Sequence, residues 1–204
     1  MIYWIARRLL APLGHELPYR RSYLALDFLF VSVTVALVVT LGASVRMVGA
    51  SLLVLYTLIV SLTDFSCLII PNRLTYTCAL IGLVLALVDP QISLLQSLSG
   101  GLAGLTLFWT IAVAGSKVFK RRAMGGGDIK LAAMLGLFTG PAEFLMVLFL
   151  GSCLGLGYTG YTKLRRRDIS VQRIPFGPFL AIAGLIAYLT GDRLLSAYLL
   201  TVGA

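Results

Sequence analysis

Runs of apolar residues, nearly free of charge, alternate along this chain with short polar stretches. The first convincing run is Leu24–Ala43, followed by Met47–Thr63 and by a shorter one, Leu74–Val88, closed by Asp89-Pro90. Leu94–Ser116 is the longest at 23 residues, about 34 Å of helix. Ile129–Gly140, Ala142–Thr162 and Pro175–Thr190 follow, the last with an apolar tail, Leu194–Val202. Uncharged runs of this length are the pattern of bilayer-spanning helices. The fold class predicted is therefore all-α, a polytopic transmembrane bundle of about seven spans, six to eight at the limits. Residues 1–22 form a basic, weakly amphipathic lead-in interrupted by Pro12 and Pro18, and residues 23–204 form the transmembrane domain.

Composition supports this reading. Of the 204 residues, 59% are hydrophobic and 12% charged, about half the charge of a soluble domain. A chain of this size has too little interior to hide so much apolar surface from water. The net charge of +9 could suggest nucleic acid, but in a membrane protein basic loops ordinarily fix orientation. No nucleic-acid partner is expected; membrane lipid is.

Charge placement also tests the shortest run. Ile129–Gly140 gives only about 18 Å of helix against a hydrocarbon core of about 30 Å. If it crosses and the N-terminus is cytosolic, Arg7, Arg8, Arg20, Arg21 and Arg73 lie inside. So do the loop cations Lys117, Lys120, Arg121, Arg122 and Lys130, and the later group Lys163, Arg165, Arg166, Arg167 and Arg173. Only Arg46 and Arg193 fall outside. If the run fails to cross, that bias largely collapses. The positive-inside rule thus favours a crossing by a kinked or partly buried short helix, with both basic loops cytosolic. Pairs of glycines four apart (Gly100 with Gly104, Gly136 with Gly140, Gly151 with Gly155) fit close helix packing in lipid, or chance in a chain with 21 glycines.

The three cysteines, Cys67, Cys78 and Cys153, form no CxxC pair, and His15 is the sole histidine. Neither a zinc site nor a disulfide framework is expected, and no cofactor. Among the eight acids (Glu16, Asp27, Asp64, Asp89, Asp128, Glu143, Asp168 and Asp192), two are placed unlike the rest. Asp64 ends the second run and is followed by further apolar residues before Pro71-Asn72. Asp128 stands where a glycine run meets the start of a helix. Ionisable groups at the hydrocarbon boundary are costly and mark function by default. The topology puts both on one side of the membrane, and two carboxylates that meet are the minimum equipment for hydrolysing a peptide bond with water. Opposite helix-dipole ends suggest Asp64 as the acid and Asp128 as the base. Structural roles compete: Asp128 is a good helix N-cap, Asp64 could pair with Arg73, and membrane aspartates also serve proton-coupled transporters.

Gly125-Gly126-Gly127-Asp128, continued by Ile129-Lys130-Leu131, resembles the GxGD signature in the GxGDxK form of the type IV prepilin peptidases. Asp64 followed by Ile70-Pro71-Asn72-Arg73-Leu74-Thr75 is similar to that family's first aspartate and the stretch after it. Ile174-Pro175-Phe176-Gly177-Pro178-Phe179-Leu180-Ala181 is similar to its late segment. The likeness runs from about residue 20 to the end, with Asn72 where the family often has aspartate.

The resemblance implies an aspartic endopeptidase of the inner membrane of bacteria. It would remove the basic leader from prepilin or pseudopilin precursors of type IV pilus or type II secretion systems at the cytosolic face. Asp64 and Asp128 would be catalytic, and Gly125, Gly126, Gly127, Lys130, Pro71 and Asn72 would form the substrate-binding, active-site loops. The glycines would let a substrate backbone approach closely and would hinge the loop. Lys130, two residues past Asp128, faces away from it on a helix and is expected to snorkel or to meet another helix. Longer members carry an N-terminal domain with two CxxC pairs that methylates the product; residues 1–22 do not resemble it, so the short form is expected. Alternatives are a presenilin-like or signal-peptide-peptidase-like intramembrane protease, against which Pro178-Phe179-Leu180 counts, and a proton-coupled transporter. Self-association and the particular prepilin are left open.

Overall fold

A computed structural model describes residues 1–13, 22–165 and 175–202. The described residues contain seven α-helices: α1 (Ile2–Leu10), α2 (Ser22–Leu41), α3 (Val45–Cys67), α4 (Asn72–Leu85), α5 (Leu94–Phe119), α6 (Gly126–Arg165) and α7 (Gly177–Val202). Four are long and apolar enough to cross a membrane, namely α2 over Leu24–Leu41, α3, α5 and α6. α4 and the Gly177–Gly191 part of α7 are shorter apolar helices. With α6 broken in two, the seven apolar runs of the sequence correspond to α2, α3, α4, α5, the halves of α6, and α7. The chain is a multi-pass membrane protein, and its exposed large apolar side chains, such as Phe28, Val39, Trp109 and Phe149, fit a lipid-facing surface. His15, Glu16, Arg20, Arg21, Arg166, Arg167, Asp168, Arg173 and Ile174 lie outside the described residues, as do the side chains of Asp192 and Arg193.

The helix ends follow local chemistry. Ser44 caps α3 by accepting the Met47 N–H at 3.2 Å, and Ser93 and Gln96 form a reciprocal capping box on α5. α3 closes with Leu68 in the left-handed region (φ 55°), its N–H on the Asp64 carbonyl at 2.9 Å. This sharp stop sends the chain back towards α4, which Pro71 opens.

α6 occupies the middle of the bundle and packs most extensively against α5 and α7, with α4 on its first half. Leu131, Ala132, Met134, Leu135 and Phe138 of that half are buried, so the short fifth run is a partly buried, kinked helix as its length suggested. The kink has an identifiable cause. Gly140 takes φ 80° and ψ 174°, and Pro141 has no N–H to give the Leu137 carbonyl. Ser97, fully buried on α5, donates its hydroxyl to that carbonyl at 2.7 Å.

Backbones approach closely around the break. A Cβ on Gly100 would strike the Gly136 carbonyl and, at 2.6 Å, Gly140; one on Gly104 would strike Ala132. Gly151 sits against Leu180 of the last helix, and Gly155 against Phe176 just before that helix begins. The glycine pairs therefore mark real helix contacts.

One local feature departs from the sequence reading. The lead-in, read as weakly amphipathic, contains α1, whose Ile2, Tyr3, Ala6 and Leu10 are at most 5% exposed. They pack on Ile59 of α3 while Arg7 and Arg8 face out. The period is strong over Ile2–Leu10, with Ile2, Tyr3, Ala6 and Leu10 on one face and Arg7 and Arg8 opposite; it is averaged away only when residues 1–22 are taken as one segment across Pro12 and Pro18.

Ser97→Ala should lower stability by about 1–3 kcal/mol, because a buried carbonyl loses its partner. Ser99→Ala, on the exposed side of the same helix, should change it by less than about 0.5 kcal/mol. Unfolding of both variants in detergent micelles checks this; equal shifts would mean that the Leu137 carbonyl does not depend on Ser97.

Candidate active site

The end of α3 and the starts of α4, α6 and α7 meet at one end of the bundle. Asp64 lies one turn inside the end of α3 and is 5% exposed. Its Oδ2 accepts the backbone N–H of Gly177 at 3.0 Å. That N–H belongs to the first turn of α7, where it has no partner within its own helix. Asp64 makes no ion pair with Arg73; among the described residues, the ion pair within 4.0 Å joins the Met1 amino group to Asp27 at 2.6 Å.

Asp128 is the third residue of α6 and half-buried. Its carboxylate turns back beside Gly125, where a Cβ would lie 3.1 Å from Oδ2, so Asp128 sits inside the first turn of α6 rather than at the N-cap position expected for it. Asp64 is close enough for the two charges to act on each other. Both carboxylates therefore meet the N–H end of a helix. The asymmetry expected from α3 alone, with Asp64 at a carbonyl end, is offset by the start of α7.

The three glycines before Asp128 differ in what they face. A Cβ on Gly125 would lie 3.1 Å from Asp128 Oδ2, and one on Gly127 would lie 3.0 Å from Cβ of Ile70. Gly126 faces open space. The two fixed positions of the GxGD pattern are thus the packed ones, and the variable position is the open one.

Lys130 finds its partner on another helix. Its Nζ donates to Asn72 Oδ1 at 3.1 Å and stands 5.4 Å from the Tyr76 ring centre, both on α4. Pro71 is buried, and its carbonyl accepts the Thr75 N–H at 3.1 Å and the Thr75 hydroxyl at 3.2 Å. Asp64, Asp128, Gly125, Gly127, Lys130, Pro71 and Asn72 therefore converge, with Gly126 open beside them.

Two features flank the pair. A cleft of about 630 Å³ between the end of α5 and the start of α6 is lined by Trp109, Val113, Lys117, Arg122, Gly126 and Ile129, among others. On the Asp64 side, Phe65, Tyr158 and Phe179 form an aromatic group with ring centres 5.1–6.3 Å apart.

A family model described as the type IV leader peptidase family matches residues 51–160. The chain belongs to the type IV leader peptidase family. It is 32% identical over 186 residues to a prepilin leader peptidase/N-methyltransferase of Aeromonas hydrophila, covering 91% of this chain and 64% of that protein. A protein of the same name from Pseudomonas aeruginosa is 36% identical over 157 residues, 76% of this chain and 54% of the relative. One from Bacillus subtilis is 28% identical over 186 residues, 91% of this chain and 72% of the relative. The chain thus spans less than two thirds of the Aeromonas and Pseudomonas proteins. No solved structure matches the chain.

This leader peptidase family member carries site groups that the sequence reading did not assign. Gly177 was seen only as part of a late segment, yet a Cβ there would lie 2.8 Å from Asp64 Oδ2, 3.1 Å from Ile70 and 3.2 Å from Val60. Its role stayed hidden because its partner is 113 residues away; the flanking Pro175 and Pro178 were the available signal.

Gly177→Ala should destabilise the protein by about 1–3 kcal/mol through overpacking against a buried carboxylate. Gly126→Ala should be neutral or stabilising by up to about 1 kcal/mol, since it adds a helix former over open space. Thermal unfolding of the two variants in one detergent gives the comparison; a Gly126 variant at least as damaged as the Gly177 variant would contradict this geometry.

Proposed function

We propose that this chain is an aspartic endopeptidase that removes the leader peptide from prepilin-like precursors. The observation that carries the reading is the meeting of Asp64 and Asp128, 64 residues apart in sequence, as one interacting carboxylate pair at the converging helix ends. Membership of the family and the names of the relatives agree with it.

In this mechanism the pair works with one carboxylate ionised and the other protonated. The ionised group takes a proton from a water held between them, while the protonated group donates a hydrogen bond to the scissile carbonyl. Water oxygen attacks the carbonyl carbon as the protonated carboxyl passes its proton to the carbonyl oxygen, and a tetrahedral diol results. The diol collapses as the amide nitrogen gains a proton and the C–N bond breaks, leaving a new carboxyl on the leader and a new amine on the mature protein. The pair ends with one proton, ready for another cycle. Burial strengthens each of these electrostatic steps.

Gly126 leaves open space beside Asp128 in which an extended substrate backbone can lie. Lys130 and Asn72 act by tying the starts of α6 and α4 together rather than by touching the peptide bond. The reading places the site on the cytosolic face of a bacterial inner membrane, since Lys117, Lys120, Arg121 and Arg122 cluster at the same end as Asp128.

Asp64→Asn and Asp128→Asn should each lower leader removal by at least about a thousandfold while the protein still inserts, because neither carboxylate can replace the other. Co-expression with a prepilin and a gel-mobility assay of the precursor reads the result. Retention of more than a few per cent of the activity by either variant would break the pair.

In a cysteine-free background, a thiol at Lys120 should react with a membrane-impermeant reagent only after cells are opened. A thiol at Gln91, in the turn between α4 and α5, should react in intact cells. The reverse pattern would move the site to the other face.

A further inference from the structure

Within the Ile70–Thr75 stretch, the proposed reaction gives no role to Ile70 or to Thr75. Thr75 is 1% exposed, and its hydroxyl lies 3.2 Å from the Pro71 carbonyl and 3.0 Å from the Tyr56 hydroxyl. Tyr56, on α3, is also 1% exposed. A carbonyl only accepts, so Thr75 donates to Pro71 and Tyr56 donates to Thr75. The two hydroxyls thus form a directed chain from the middle of α3 to the turn that opens α4. Burial makes each link costly to lose.

Pro71 in turn fixes its neighbour. The residue before a proline is held in extended backbone, and that residue is Ile70. The Ile70 side chain stands against two glycines from different helices. A Cβ at Gly127 would lie 3.0 Å from Ile70 Cβ, and a Cβ at Gly177 would lie 3.1 Å from Ile70 Cδ1. Gly127 immediately precedes Asp128, and Gly177 donates the hydrogen bond that holds Asp64. Ile70 is therefore a spacer between the two backbone segments that carry and orient the carboxylates.

We propose that Tyr56, Thr75 and Ile70 form a positioning unit that sets the separation of Asp64 and Asp128. The hydroxyl chain holds the Pro71 turn, the turn holds Ile70, and the width of Ile70 holds the starts of α6 and α7 apart. None of the three touches the reacting bond, so they act on the chemical step through the pair. The proposal rests on the reading of Asp64 and Asp128 as the catalytic pair. A peptide-cleaving pair tolerates little displacement, since an error of about 1 Å can cost a hundredfold in rate.

The test uses the purified full chain in lipid vesicles and a synthetic peptide spanning a prepilin leader junction. kcat, KM and the unfolding temperature are measured for Tyr56→Phe, Thr75→Val, Thr75→Ser and Ile70→Ala, with Asp64→Asn as reference. Tyr56→Phe, Thr75→Val and Ile70→Ala should each lower kcat by about tenfold or more with KM within about twofold. Thr75→Ser, which keeps the hydroxyl, should restore kcat to within about twofold of the parent. The double variant Tyr56→Phe/Thr75→Val should be no slower than the slower single, because both cut one chain. Variants that lose unfolding temperature but keep kcat would overturn the proposal and reduce the hydroxyls to a satisfied core pair. So would losses confined to KM, or a Thr75→Ser variant as slow as Thr75→Val. Those results with an inactive Asp64→Asn leave the catalytic pair standing; an active Asp64→Asn overturns the pair itself and the proposal with it.

Discussion

Asp64 is 5% exposed inside an apolar bundle, with a backbone N–H 3.0 Å from its Oδ2. Burying such a group without a partner costs several kcal/mol, and in hydrocarbon there is no water to share the cost. The partner is an orphan N–H at the start of α7, so the last helix must begin beside the end of α3. The residue supplying the N–H must lack a side chain, because a Cβ at Gly177 would press on the carboxylate, Ile70 and Val60 together. One hydrogen bond thus brings the late segment to the middle of the chain and closes the site around Asp64.

The other half of the site depends on how α6 is delivered. Its first half carries Asp128 and is buried against α5, α4 and α7. Two devices make that burial affordable in a membrane. Gly100, Gly104 and Gly136 let α5 and α6 approach to backbone contact. The break at Gly140-Pro141 lets α6 change course, and the carbonyl that Pro141 leaves without a donor is taken by Ser97. With the first half held this way, its opening turn presents Asp128 to the space beside Asp64. Lys130 then ties that turn to α4 through Asn72 and Tyr76.

Much of this was legible in the sequence, and the rest was hidden for physical reasons. Apolar length revealed the seven runs, and the boundary between the fifth (Ile129–Gly140) and the sixth (Ala142–Thr162) falls at the break in α6. The glycine run before Asp128, with Ile70-Pro71-Asn72 after Asp64, singled out the two carboxylates and their loops. Lys130 was expected either to snorkel or to meet another helix, and it meets Asn72 and Tyr76 of α4. Asp64 with Arg73 was a reasonable pair on charge alone, but the structure partners Asp64 with a backbone group instead. Contacts such as Gly177 with Asp64, or Tyr56 with Thr75, carry no periodic signal because they join helices whose register only packing decides. The docked face of α1 was legible in the strong period of Ile2–Leu10 and is lost only when those residues are averaged with the proline-broken stretch up to residue 22. Close approach at glycine was readable as a tendency; which glycine meets which backbone was not.

In the proposed mechanism two carboxylates act as one unit, one ionised and one protonated. The rate of leader cleavage by the purified chain in vesicles, measured across pH at saturating peptide, addresses it most directly. The profile should be bell-shaped, with two limbs that belong to the coupled pair. A rate that rises with pH to a single plateau, with no falling limb while the protein stays folded, would contradict it.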